Sequence, residues 1–272
     1  MDAPRALDTH CHYQKTDGFL EQMLEQGQAA GVEVFCLNGG GPRWRQHDNN
    51  GVMAAAEQHP DRILPFAFCN LGEDTAAQVY AWYRAGFRGL KTQCPTGTYD
   101  DEAFFPVYAA AEECRLPILF HTGISARFAN HDYWNTSSRF MMPLTLDRLA
   151  RCFPGLTVWA GHLGVPDTWH AAMLMRTHAH VHFDLCGIDV TGRRWTTICS
   201  YGEMFYGGAD HFGKLVFGSE GSPGGFAPLL AAYRELLDAH DVPAEVCTRI
   251  FWGNAAEALR LTVDSSGRNV AR

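Results

Sequence analysis

Several features that would assign a chain to other classes are scarce in this sequence. Charged residues make up 19% of its 272 residues, the net charge is −8, and no Lys/Arg cluster forms a basic stripe. Nothing therefore indicates a nucleic-acid partner. No apolar run approaches about 18 residues, so no membrane span is expected. The first residues, 1 to 5, lack the apolar region of a signal peptide.

Cysteine motifs are also missing. The nine cysteines are odd in number and scattered, and no Cys-x-x-Cys occurs. Three of them, Cys36, Cys69 and Cys186, lie within apolar segments that we interpret as strands. This pattern favours buried thiols over disulfides, and it predicts a cytoplasmic protein.

What the sequence does contain is an alternation of short apolar runs with longer amphipathic stretches. The apolar runs predict eight strands: Ala6–His12, Val32–Asn38, Leu64–Leu71, Phe87–Thr92, Pro117–Thr122, Leu156–Leu163, Val181–Cys186 and Leu215–Glu220. Eight β/α repeats without a break in composition predict an α/β fold, a single (β/α)8 TIM barrel covering residues 1–272 with a loose tail from about residue 263. A doubly wound open sheet is the alternative.

Helices are predicted in the gaps between the strands. Asp17 can cap a helix that runs to Ala30 and stops at Gly31. Further helical stretches are 74–85, a segment beginning at Asp100 or Asp101, 143–153 and 227–240. Two irregular segments, 38–50 and 124–141, follow the second and fifth strands, where barrel enzymes place their substrates.

Metal-ligand residue types end several of the predicted strands. His10 and His12 lie two apart on the first strand, so their side chains point the same way. His121 ends the fifth strand and would complete a set of three imidazoles around one cation. This set predicts one divalent metal, with zinc favoured and manganese or iron as alternatives, since availability decides among them. A second metal is the less favoured reading.

His162 and Glu220 are the candidate catalytic residues. His162 either ligates a metal or acts as acid and base beside a single metal, and we favour the second role. Glu220 ends the predicted eighth strand, where a carboxylate can both ligate the metal and accept a proton from water.

Three further side chains are candidates for substrate binding. Lys91 ends the fourth strand, where it could hold a substrate carboxylate, bridge two metals as a carboxylated lysine, or form an ion pair. Arg127 and Trp134 lie in the segment after the fifth strand and could hold an anionic or aromatic substrate.

Asp8 either orients a ligand histidine or caps the end of the first strand.

These residues belong to a series of segments that resembles the metal-dependent amidohydrolase superfamily. The resemblance is to the amidohydrolase-related branch, which includes hydrolases and aminocarboxymuconate-semialdehyde-type decarboxylases. The segments span nearly the whole chain: LDTHCH at 7–12, HPDR at 59–62, GFRGLK at 86–91, LPILFHTG at 116–123, FPGL at 153–156, GHLG at 161–164, LVFGSE at 215–220 and IFWGNAA at 250–256.

The resemblance implies a role for each matching residue. His10 and His12 match the first-strand ligands, His121 the fifth-strand ligand, and His162 the sixth-strand histidine. That last histidine is a proton shuttle in one-metal relatives and a ligand in two-metal ones. Glu220 stands where the family usually has aspartate. Because glutamate is one methylene longer, it could overshoot the metal, bind it in a different geometry, or act only as a base. The resemblance also suggests a homodimer.

Two enzyme activities and one alternative follow. The first is a metal-dependent hydrolase that acts on a small-molecule substrate, a lactone, amide or ester. The second is a non-oxidative decarboxylase of a small unsaturated or aromatic acid, in which His162 protonates carbon and Arg127 or Lys91 holds a carboxylate. The third is a barrel that binds a ligand without turnover.

Overall fold

The computed structural model describes residues 5–125, 136–187, 212–263 and 269–271. It divides into two compact units. The first unit comprises Met1–Phe66 and Leu185–Arg272, and the second comprises Ala67–Asp184. The single-domain organisation expected from the sequence stays a prediction.

Seven parallel strands follow one another in sequence order, and helices connect them along the chain. Strands β1 to β3 pair in parallel, as do strands β4 to β7. The strands are β1 (Ala6–His12), β2 (Val32–Asn38), β3 (Ile63–Phe68), β4 (Gly89–Thr92), β5 (Ile118–Phe120), β6 (Val158–Ala160) and β7 (Val181–Phe183). The predicted bounds of β1 and β2 are confirmed, whereas the later strands are shorter than predicted.

The strands are connected by α-helices and by short 3-10 helices. The α-helices are α1 (Phe19–Ala30), α2 (Asn49–Gln58), α3 (Ala76–Ala85), α4 (Phe105–Glu113), α5 (Thr145–Cys152), α6 (Thr168–Thr177), α7 (Phe226–Ala239), α8 (Ala244–Thr248) and α9 (Asn254–Ala258). Short 3-10 turns cover Pro42–Trp44, Glu102–Phe104, Ser138–Met141 and Gly161–Gly164, and a π-turn covers Arg249–Gly253. Among the described residues, no helix is both long and apolar enough to span a bilayer.

The helix ends reflect local sequence. Helix α1 stops at Gly31, whose φ of 97° is the left-handed conformation that glycine adopts at low cost. Its N-cap is Gly18, not the predicted Asp17. Helix α3 begins with a capping box between Thr75 and Gln78.

The predicted eighth strand, Leu215–Glu220, is not a regular strand. Glu220 makes an isolated parallel bridge with Cys11 of β1, and Phe217 O accepts from Thr9 N of β1 at 2.9 Å. Other backbone groups of the segment are taken elsewhere: the N–H of Phe217 donates to Ile250 O at 3.1 Å, and the side chain of Asn254 donates to Leu215 O at 2.8 Å. Bonds to the following helical region thus replace part of a strand ladder.

The end of the chain contains two short strands, and the loose tail expected from about residue 263 stays a prediction. Leu261–Val263 (β8) and Asn269–Ala271 (β9) pair as a short antiparallel sheet. Residues 264–268 lie outside the described residues.

The core of the first unit forms where α1 and α7 pack near β2. The Phe35 ring meets Phe226 of α7 edge-on, with centroids 5.7 Å apart. A Cβ at Gly27 of α1 would lie 2.4 Å from Phe35 Cζ, so glycine makes room for this ring. The buried Tyr233 of α7 uses its hydroxyl twice: it accepts from Leu185 N at 2.8 Å and donates to Val216 O at 3.2 Å.

The second unit has its own aromatic core. The Phe120 ring packs edge-to-face against Tyr99 and Tyr108. Its centroid lies 4.8 Å from the Tyr99 ring centroid and 5.9 Å from that of Tyr108. On the surface of this unit, Asp147 of α5 accepts from Arg151 Nε at 3.0 Å and pairs with His178 Nε2 at 2.8 Å.

Candidate metal centre

The two histidines at the end of β1 face each other. Their Nε2 atoms are 3.1 Å apart, and the ring planes meet at 62°. His10 is fully buried, and His12 is half-buried. The spacing of two residues along the strand therefore brings together the pair of rings that the sequence predicted.

The pairing of β1 with β2 is irregular at this point. Asp8 pairs with Phe35 and Cys11 pairs with Leu37, so β1 carries one extra residue between these positions. Such irregularities re-aim side chains at the ends of strands. Here the extra residue falls in the stretch that contains His10.

Asp8 is a buried acceptor for four donors. Its Oδ1 accepts from the backbone N–H groups of His10 at 3.0 Å and Ser219 at 3.1 Å. Its Oδ2 accepts from Cys11 Sγ at 2.9 Å and from the Ser219 hydroxyl. Burial raises the pKa of Asp8 to about 6, although these hydrogen bonds act to lower it. Asp8 thus orients His10 through the backbone and links β1 to the residue before Glu220.

The backbone of Glu220 pairs with the end of β1. Its bridge partner is Cys11, the residue between the two histidines, and His12 N donates to Glu220 O at 3.4 Å. Glu220 has a φ of 63°, in the left-handed region. The next residue, Gly221, has a φ of 74°, and a Cβ there would lie 3.3 Å from Cys11 Cα. This close approach holds the Glu220 backbone against the histidine pair.

Cys186 contacts the other nitrogen of His10. Its fully buried Sγ lies 3.2 Å from His10 Nδ1. The same sulfur lies within 4.8 Å of a Glu220 carboxylate oxygen. Sequence reasoning treated Cys186 only as a buried thiol; its place at the end of a predicted strand, like that of the candidate histidines, was the available signal.

The second unit holds another histidine pair, His121 after β5 and His162 after β6. His121 Nδ1 lies 3.0 Å from His162 Nε2, and both rings are buried, at 8% and 9% exposure. Tyr99 donates its hydroxyl to His121 O at 2.7 Å. Sequence reasoning named both histidines, but not the tyrosine that fixes the backbone of one of them.

His162 is held in an uncommon backbone conformation. Its φ is 67°, and the following Leu163 has a φ of 46°. The buried Asp184 supports this turn, because its Oδ1 accepts from His162 N at 2.9 Å and its backbone oxygen accepts from Leu163 N at 2.9 Å. Asp184 is a second residue near a candidate histidine that the sequence did not single out.

The remaining candidates are the three predicted substrate-binding residues. Lys91 is fully buried in β4, and its backbone oxygen accepts from Cys69 N at 2.7 Å. Its three predicted roles stay predictions. Arg127 and Trp134 lie outside the described residues.

Both histidine pairs have the donor chemistry of a site for a borderline divalent ion. Two nitrogens bound to one zinc ion at about 2.1 Å each cannot be more than about 4.2 Å apart. The separations of 3.1 Å in the first unit and 3.0 Å in the second satisfy this condition. A single N–H···N hydrogen bond spans the same distance, so each pair fits a metal without requiring one.

Comparison with known proteins decides the family. The Amidohydrolase family model matches residues 8–261. The chain belongs to the amidohydrolase family. This is an enzyme family that uses a divalent metal, and the described residues include candidate ligands for one. No curated protein matches the chain in sequence.

Solved structures show the fold of this amidohydrolase to be a TIM barrel. An uncharacterised TIM-barrel protein from Bordetella bronchiseptica is 18% identical, with a TM-score of 0.71 over 94% of this chain and 98% of that one. A probable 2-pyrone-4,6-dicarboxylic acid hydrolase from Acinetobacter baumannii, with citric acid bound, is 14% identical, with a TM-score of 0.65 over 93% and 98%. A 5-carboxyvanillate decarboxylase from Novosphingobium aromaticivorans, complexed with manganese and 4-hydroxy-3-methoxy-5-nitrobenzoic acid, is 16% identical, with a TM-score of 0.64 over 94% and 96%.

Proposed function

We propose that this amidohydrolase is a metal-dependent hydrolase of a small lactone, amide or ester. The observation that carries the proposal is the Nε2 pair of His10 and His12, 3.1 Å apart, with the Glu220 backbone bridged to the residue between them. This arrangement puts two imidazoles and a carboxylate-bearing residue at one strand end. Those are the residue types that catalytic zinc sites use.

His10 and His12 would hold the ion through their Nε2 atoms. His121 is predicted to contribute a third imidazole, and Glu220 is predicted to contribute a carboxylate. A bound divalent ion supplies Lewis-acid chemistry, which makes water more acidic and polarises a carbonyl group. We favour zinc because nitrogen and carboxylate ligands suit it; manganese and iron accept the same set.

Glu220 would act as the general base. Its carboxylate accepts a proton from the attacking water and returns it to the leaving oxygen or nitrogen, so that the residue is regenerated in each turnover. Asp8 keeps the Glu220 segment beside the histidines through its two bonds to Ser219. The backbone contacts of Glu220 thus serve to place the base.

The test is metal analysis followed by activity on a substrate panel. Purified protein should contain about one zinc, manganese or iron per chain, and chelation should abolish activity that the metal restores. A panel of lactones, esters and amides should release acid, measured by titration at constant pH. Failure to bind any of the three metals after reconstitution would instead favour a ligand-binding barrel without turnover.

Decarboxylation of a small unsaturated or aromatic acid is the second candidate. It is favoured by the buried His121–His162 pair and by the bond from His162 N to Asp184, which hold one imidazole in a fixed position. In that reaction His162 would donate a proton to the substrate carbon that loses carbon dioxide. Lys91 or Arg127 would hold the substrate carboxylate.

One substitution separates the two reactions. His162→Asn should abolish carbon dioxide release from aromatic acids if the enzyme is a decarboxylase. A hydrolase that uses Glu220 as its base should keep part of its activity in the same variant. A small-molecule substrate, a homodimer and a cytoplasmic location stay predictions, the dimer being testable by sedimentation.

A further inference from the structure

Cys186 occupies the side of His10 that faces away from His12. One ring nitrogen of His10, Nε2, lies 3.1 Å from His12 Nε2. The other, Nδ1, lies 3.2 Å from Cys186 Sγ. Both His10 and Cys186 are fully buried. The imidazole is therefore contacted at both nitrogens, by a different group on each side.

The proton on this ring decides whether His10 can ligate a metal. A neutral imidazole carries one N–H and one lone pair, so a proton on Nδ1 leaves the lone pair on Nε2. Partners of ligand histidines normally accept from the nitrogen that does not bind the metal, and this bond fixes both the tautomer and the ring orientation. The sulfur of Cys186 is in the position to be that acceptor.

We propose that Cys186 is a positioning residue for the metal, accepting a hydrogen bond from His10 Nδ1 and so leaving the Nε2 lone pair for the ion on the side of His12. The inference rests on the proposed function, since it assumes that His10 is a ligand. It assigns a role in metal binding to a residue that was interpreted from the sequence only as a buried thiol. The acceptor is a sulfur, whereas such partners are usually carboxylates, carbonyls or water.

The neighbouring thiol of Cys11 does not have this role. Cys11 Sγ donates to Asp8 Oδ2 at 2.9 Å. The pKa of the Cys11 thiol is raised well above its usual range, mainly because the thiol is buried and also because the Asp8 charge is close. Its proton is thus directed to a carboxylate. Cys186 instead meets an imidazole nitrogen, and the two buried thiols near His10 differ in what they contact.

Direct ligation by Cys186 is the competing arrangement. The sulfur lies within 4.8 Å of a Glu220 carboxylate oxygen, so both groups are candidates to bind one ion. However, Nδ1 and Nε2 point away from each other across the imidazole ring. A sulfur hydrogen-bonded to Nδ1 therefore lies on the wrong side of the ring to share an ion with Nε2.

The experiment compares metal affinity in Cys186→Ala, Cys186→Ser and a matched control, Cys114→Ala, which removes another buried thiol at the end of α4. Zinc affinity is measured by competition with a chromophoric chelator. Cys186→Ala should bind zinc about 10- to 100-fold more weakly than wild type. Cys186→Ser, which keeps an acceptor, should recover part of the loss, and Cys114→Ala should match wild type.

Cobalt substitution distinguishes an outer partner from a ligand. The wild-type cobalt protein should lack the intense near-ultraviolet charge-transfer absorption of a thiolate–cobalt bond. The presence of that band in wild type and its loss in Cys186→Ser would overturn the proposal in favour of direct ligation. Unchanged zinc affinity in Cys186→Ala would overturn it as well. If wild type binds no metal at all, the proposed function itself fails, and thermal melting of each metal-free variant shows whether a loss reflects folding.

Discussion

Asp8 bonds to both the backbone N–H and the hydroxyl of Ser219, and so joins the end of β1 to the residue that precedes Glu220. The same carboxylate accepts from His10 N. A single buried side chain therefore fixes the backbone on both sides of the candidate metal site in the first unit.

Replacing Asp8 should destabilise the protein and weaken metal binding together. Asp8→Ala leaves the N–H groups of the buried His10 and the half-buried Ser219 without this acceptor, and a buried group left unsatisfied costs about 1–3 kcal/mol. We expect the free energy of unfolding to fall by about 2–5 kcal/mol in urea denaturation. Asp8→Asn, which keeps one oxygen, should lose less.

The exposed Asp17 provides the control for Asp8. Asp17→Ala should change stability by less than about 0.5 kcal/mol, as surface substitutions usually do. An Asp8→Ala protein as stable as wild type would contradict the four hydrogen bonds described for this carboxylate.

The histidine pair should determine metal content. His10→Ala and His12→Ala each remove a predicted ligand, and zinc affinity should fall by more than the 10- to 100-fold typical of a residue outside the ligand set. Chelator competition and elemental analysis measure the change. His170→Ala, in which an exposed histidine of α6 is removed, should keep wild-type metal content; equal losses in all three variants would indicate a nonspecific effect.

Glu220 should contribute to turnover more than to folding. Glu220→Gln removes the basic oxygen while keeping the size of the side chain, and kcat should fall by about 100- to 10,000-fold. Glu235→Gln, an exposed change on α7, should leave kcat unchanged. Full turnover by Glu220→Gln would exclude the carboxylate as the base.

Glu220→Asp restores the aspartate that the family resemblance implies at this position. Its backbone φ is 63°, a conformation that aspartate tolerates better than glutamate. The variant should therefore melt no lower than wild type. Its kcat should lie between those of wild type and Glu220→Gln, since the carboxylate is retained but withdrawn by one methylene.

Asp147 gives a prediction of pH dependence. The hydrogen bond from Arg151, helped by that from His178, lowers the pKa of Asp147 from 3.8, and partial burial opposes the shift. Because the folded pKa lies below the unfolded one, the stabilisation is present above pH 3.8 and is lost as the pH falls through the folded pKa.

Asp147→Asn should accordingly lower the free energy of unfolding by about 0.5–1 kcal/mol near pH 7, and the difference from wild type should narrow below about pH 4. Urea denaturation at a series of pH values measures it. A difference that grows in acid would have the wrong sign.

Much of the fold could be predicted because periodicity and end signals are local. The bounds of β1 and β2, and the stop of α1 at Gly31, follow from apolar runs and a glycine. The segment Leu215–Glu220 looks like a strand for the same reason. Its bonds to Ile250 and Asn254 are long-range, and no local pattern indicates that they replace a ladder.

The candidate site was predictable where chemistry and spacing coincide. His-x-His at a strand end predicts that two side chains point the same way, although the irregular pairing of β1 in the stretch with His10 could not be predicted. Cys186, Asp184 and Tyr99 act through contacts with residues far away in sequence, so their types alone resembled ordinary core residues. For Asp8 the sequence left two roles open, orienting a ligand histidine or capping the strand end, and its bonds to Ser219 depend on how distant segments fold together.

The hydroxyl of Tyr233 bonds to Leu185, next to Cys186, and to Val216, in the segment that leads to Glu220. Helix α7 therefore sets the spacing of two chain segments that carry chemistry while supplying no ligand of its own. Loss of this one oxygen would let both segments shift independently. The activity of this protein thus depends on how helix α7 packs as well as on the residues that react.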